Sequence, residues 1–126
     1  MSLEQYRSLW EQPVFDLWSI PHFLSGTIFF VLFRWFRVHP LLAIAANVTI
    51  AIFWELFEIP TGLSSSEYWS NHVADILFAQ LGFFAGMLFF KIVESEDNRR
   101  RFFWIVCGSF GLVALAGITC ATLTLH

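Results

Sequence analysis

Glu55 and Glu58 stand three residues apart within Leu41 to Ile59, a run that is otherwise almost wholly apolar. Three residues are about 300° of helical rotation, so the two carboxylates share one face. At the centre of a membrane-spanning helix each would cost about 2.5–3.5 kcal/mol to insert, so a pair needs a compensating role. Further polar residues gather at two other places: Asp16, Ser19 and His22 at the start of the first apolar run, and Asn71, His72 and Asp75 at the start of the third.

His22, Glu55, Glu58 and Asp75 together supply the ligand types of a divalent metal, with Ser19, Asn71 and His72 as a supporting polar cluster. Imidazole with carboxylate suits zinc, iron or manganese, and a carboxylate-dominated set leans toward harder ions. The Glu-x-x-His and His-x-x-x-His spacings of familiar metal sites are absent. Two neighbouring carboxylates in a low dielectric cannot both ionise cheaply, so the same residues also suit a proton or cation site, with His22 or His72 as counter-charge. A third chemistry is acid/base work on a lipid-linked substrate, a carboxylate acting as base and a histidine as its partner. Covalent catalysis has no support, because G-x-S-x-G is missing and both cysteines lie in the last apolar run.

Against these chemistries stands simple helix-to-helix hydrogen bonding. Such bonds contribute about 0.6 kcal/mol on average, which is small beside the insertion cost of the carboxylates. Asn47 and Gln80 fit that bonding role better than a site. His39, before Pro40, reads as a loop residue, and His126 is terminal. Sixteen Phe and six Trp could line a porphyrin or chlorophyll on His22, although Phe-rich helices usually face lipid.

The elements that must position these groups follow from composition. The chain has 126 residues, room for one domain, and is 57% hydrophobic, 19% aromatic and only 13% charged. That is too apolar for a soluble protein of this size. Four apolar runs, about 17–36, 41–59, 73–93 and 102–125, each approach the roughly 20 residues needed to cross the hydrocarbon core. The expected fold is an all-α integral membrane protein, a single four-helix transmembrane domain over residues 1–126. Leu3, Tyr6, Leu9 and Trp10 recur at helical spacing and suit a short interfacial helix over 3–12, ended by Pro13, the alternative being a frayed terminus. Met1 to Glu11 lacks the pattern of a cleavable signal.

Positive charge sets the orientation. Arg34 and Arg37 fall in the first loop, and Lys91 with Arg99, Arg100 and Arg101 in the third, whereas the termini and second loop carry only Arg7. The positive-inside rule then places both termini and the second loop on the outer, periplasmic side of a bacterial inner membrane. Glu94–Arg101 reads as a solvated cytoplasmic turn and not as a nucleic-acid site, being short and partly acidic. Pro60 to Ser70, with Tyr68 and Trp69, reads as an outer interfacial loop. Cys107 and Cys120 are thirteen residues apart on one helix, about 20 Å, beyond disulfide reach.

With this topology the ionisable groups of three helices lie at one depth of the outer leaflet. Asn71, Asp75, Ala79, Gly82 and Gly86 follow one face of the third helix, and Gly82 to Gly86 has the G-x-x-x-G spacing of a close helix contact. Asp75 therefore points into the bundle. His72 lies about 100° away from that face at Asn71. Ser19, His22 and Gly26 share a face of the first helix, which Ser19 could cap. The fourth helix, with Gly108, Gly111, Ala114, Gly117 and Ala121, reads as scaffold.

Asp16-x-Trp18-Ser19-x-x-His22-x-x-x-Gly26, Trp54-Glu55-x-x-Glu58 and Asn71-x-x-x-Asp75 with Gly82-Phe83 resemble the pattern of a group of small uncharacterised bacterial inner-membrane proteins, and more distantly VanZ-like proteins. The resemblance covers about residues 16–86 and implies that His22, Glu55, Glu58 and Asp75 form the functional signature. His72 stands where that group typically has Ser.

The leading expectation is an outward-facing polar pocket of His22, Glu55, Glu58 and Asp75 that binds a cation or a polar lipid-linked group, a divalent metal being the implied cofactor. The lipid bilayer is the expected partner, and nucleic acid is not. The rival is an accessory subunit of a larger membrane complex, for instance a pigment or electron-transfer assembly, its aromatic faces packed on partner subunits. The residues alone assign no reaction and no catalytic residue.

Overall fold

The computed structural model describes residues 2–10, 12, 16–61 and 69–124, the side chains of 58–61 and 124 excepted. Among the described residues there are five α-helices and no strand: α1 (Leu3–Ser8), α2 (Ser19–Trp35), α3 (Pro40–Thr61), α4 (Trp69–Ile92) and α5 (Glu96–Thr124). The all-helical expectation holds. Three of them, α3, α4 and α5, are long and apolar enough to cross a membrane. The apolar α2 has 17 residues, about 26 Å. Val73, Leu77, Leu81, Phe84 and Leu88 form a stripe along α4 that is about half exposed throughout. A continuous apolar face of that kind belongs against lipid, and it marks the chain as a membrane protein.

The most extensive interface joins α2 and α4, which are not consecutive in the chain. Glycine makes it. A Cβ on Gly26 would fall onto the Ala79 carbonyl, and one on Gly82 onto the backbone of Phe23. Thr27 Oγ1 donates to the Gly82 carbonyl at 2.7 Å across the same contact. The G-x-x-x-G face of α4 thus receives α2. Below it, Phe30 meets Phe83 and Phe90 edge-on, with centroids 5.4 and 5.3 Å apart, in a core that includes Val31, Ala43 and Phe103. The other two long helices flank this pair: α3 packs mainly on α4, and α5 on α2.

Helix ends depart from expectation where local capping is stronger than composition. The Glu94–Arg101 run is not a turn. The chain turns at 93–95 and α5 begins at Glu96, six residues before the apolar run. Ser95 Oγ accepts from Asn98 N at 3.4 Å, and Glu96 with Asp97 occupies the first turn, where carboxylates are stabilised by the helix dipole. Arg99 then reaches back to α4, donating to the carbonyls of Phe90 (2.5 Å) and Val93 (2.7 Å). α3 likewise continues through Pro60 to Thr61. Ser19 is the first residue of α2, not its cap; Trp18 holds the N-cap position without a side-chain hydrogen bond.

The interfacial helix is shorter than 3–12. It ends at Ser8, starts with a capping box between Ser2 and Gln5, and lies on α5. Tyr6 Oη donates to the Ala116 carbonyl at 2.9 Å. Trp10, 4% exposed, packs with Trp18 (centroids 5.0 Å) where Gly117 leaves space. Pro13, Tyr68 and His126 lie outside the described residues.

Candidate functional site

Two polar tiers occupy the end of the bundle where α2 and α4 begin and α3 closes. In the tier nearer the helix starts, Asn71 Nδ2 donates to Asp16 Oδ2 at 2.9 Å and to the Gln12 carbonyl at 2.8 Å. Asp16 N donates to Ser19 Oγ at 3.3 Å. Asp16, Ser19 and Asn71 are all buried. Burial pushes the Asp16 carboxyl above its usual range, and the Asn71 hydrogen bond opposes that shift. Among the described residues, Asp16 Oδ1 and Trp10 Nε1 are buried without a hydrogen-bond partner.

One helical turn further in, three helices contribute to a second tier. His22 comes from α2, Glu55 from α3, and Asp75 with His72 from α4. All four are buried. His22 Nε2 lies 3.3 Å from Asp75 Oδ2 and 3.6 Å from Glu55 Oε1. One ligand atom from each of His22, Glu55 and Asp75 can be chosen so that all lie within 4.8 Å of one another. His72 Nδ1 contacts Glu55 Oε2, and with its proton on that nitrogen it donates to the carboxylate.

These separations carry chemical information. Nitrogen and oxygen ligands about 2.0–2.1 Å from a tetrahedral ion stand about 3.3–3.4 Å apart. The two contacts of His22 approach the edges of such a tetrahedron. His72 bonded to the far oxygen of Glu55 has the place of an outer partner that holds a ligating carboxylate in orientation. Three protein ligands would leave one position of a tetrahedral ion open.

The sequence-predicted residues divide as follows. His22, Glu55 and Asp75 meet. His72, about 100° from the predicted inward line, joins them, because α3 packs on α4 and brings Glu55 to it. Glu58 falls near the end of α3, and its side chain lies outside the described residues. Ser19 and Asn71 converge on Asp16 instead of on His22. Asp16 itself was not among the predicted site residues; its spacing of three from Ser19, ahead of a helix start, was the available signal. Asn47 serves as an interhelical bond, with Nδ2 donating to Gln80 Oε1 at 3.0 Å and to the Ala79 carbonyl at 3.3 Å.

Comparison with family models, curated proteins and solved structures found no match to this chain.

Proposed function

We propose that the chain is a four-span protein of the bacterial inner membrane, termini outward, that binds a divalent cation between His22, Glu55 and Asp75. The observation that carries this reading is the His22 Nε2 position, 3.3 and 3.6 Å from two carboxylates of two other helices. Two carboxylates in the bilayer cost several kcal/mol, and interhelical hydrogen bonds return well under 1 kcal/mol each. A dication neutralises both. The orientation rests on Arg34, Arg37, Lys91 and Arg99–Arg101 gathering at the opposite end of the helices from the site. The likeness to VanZ-like proteins rests on the same residues and belongs to this proposal.

Elemental analysis of the purified protein after exposure to zinc, manganese and ferrous iron tests it. One equivalent in the wild type, lost in Glu55→Gln and Asp75→Asn, is the expected result. Glu58→Gln in the same series decides whether that residue is a fourth ligand. A wild type that takes up none of the three metals ends the proposal.

A second reading, an accessory subunit, is favoured by one observation. Gly108 and Gly111 of α5 have no atom within 4 Å of the position a Cβ would take. On the small-residue face of α5, Gly117 packs against Trp10 and Trp18, whereas Gly108 and Gly111 leave room for a partner helix. Co-purification of a stoichiometric partner in mild detergent, lost in Gly111→Leu, would favour that reading.

A further inference from the structure

α3 and α5 both lie against α2 but share no packed interface of their own. Between them is a cleft of about 430 Å³ whose floor is α2 and whose walls are α3 and α5. On its floor it runs from Trp18 to Phe29, about 16 Å along the helix, which matches the roughly 15 Å of hydrocarbon in one leaflet. Its rim includes Ile50, Trp54 and Ile118, exposed by 37%, 41% and 45%, so it opens sideways through apolar residues.

The polar groups along the cleft are few. Ser25 Oγ is committed to the His22 carbonyl at 2.8 Å, and Asn47 to Gln80 and Ala79. Besides the indoles of Trp18 and Trp54, that leaves His22, which lines the cleft and also faces Glu55 and Asp75 through Nε2. The cleft is therefore apolar along its length and meets the charged site at one residue. A volume in the range of small-molecule sites, an apolar lining and one convergent polar end describe a binding site for an amphiphile.

We infer that this cleft takes a chain of a membrane lipid whose phosphate head occupies the open position on the cation. The inference rests on the cation reading for its head-group half, and on the cleft alone for its chain half. Membrane hydrocarbon reaches the α3–α5 opening directly, and an anionic oxygen is the ligand that a dication held by three protein groups would add.

Native mass spectrometry of the delipidated, metal-loaded protein, titrated with dioleoyl phosphatidic acid, tests it. Metal content is measured first on every sample. Ala51→Phe, on the α3 wall, and Ala114→Phe, on the α5 wall, fill the cleft from positions that are not ligands. The expected result is one bound lipid in the wild type, with affinity at least tenfold lower in either folded variant at full metal content. Chelation should also weaken binding at least tenfold, and inorganic phosphate at equal concentration should not displace the lipid. Wild-type affinity in both filled variants overturns the chain in the cleft. Unchanged affinity after chelation overturns the head on the cation, and displacement by phosphate alone overturns the chain's share of the binding. A protein that takes up no metal overturns the cation reading together with the head-group half, and the filled variants still decide the chain.

Discussion

The two ends of the α2–α4 pair are built from opposite materials. At one end stand Asp16, His22, Glu55, His72 and Asp75, all buried. At the other, Phe30, Phe83 and Phe90 pack edge to edge, and Arg34 and Arg99 stand over the Phe90 ring at 5.5 and 4.9 Å. Gly26 and Gly82 lie between the two and bring the backbones together. The aromatic end needs no ligand to be stable. On the proposed reading the polar end is costly without one, and its groups keep their spacing because the other end fixes the helices.

That division can be broken by experiment. Phe83→Ala should have the largest effect, lowering stability by about 3 kcal/mol in detergent unfolding while the refolded protein keeps its metal. Loss of metal at full folding would show that the ends are not separable. His72→Phe should act on the site instead, reducing metal affinity about 10–100-fold, as for loss of an outer partner. An unchanged dissociation constant would remove His72 from the site.

Asp16 gives a smaller, pH-dependent effect. Burial holds its folded pKa above the usual 3.8, so the native state binds the proton more tightly than the unfolded chain. Stability from this group is then gained as pH falls through the folded value toward 3.8, and lost as pH rises. Thermal unfolding from pH 7 downward should show that gain, and Asp16→Asn should flatten it. The smallest effect is expected at Arg37, whose φ of 57° occupies the left-handed position after α2. Arg37→Gly should stabilise the chain by about 1 kcal/mol in the same unfolding measurement.

Periodicity made part of this legible. The inward direction of Asp75 followed from the spacing of Asn71, Asp75, Gly82 and Gly86, and His22 shared a face with Gly26. Both depend on one helix at a time. His72 was not placed by such reasoning, because its burial comes from the way α3 leans on α4. The same limit applies to Ser19 and Asn71, whose common partner, Asp16, precedes α2. The early start of α5 was legible in principle: Ser95 followed by Glu96 and Asp97 is a helix-start signal, which the hydropathy of the later residues obscured. The cleft was not legible at all, since it exists only through the separation of α3 and α5.

The pairing of α2 with α4, across an intervening α3, also orders events during synthesis. His22 and Glu55 are made first, and both partners that flank them, Asp75 and His72, arrive on α4. Until α4 enters the bilayer, the Glu55 carboxylate lacks His72 and the close seat for Gly26 is missing. A nascent chain stalled before Trp69 therefore holds two loosely associated helices, and the arrival of α4 assembles contact and site in one step.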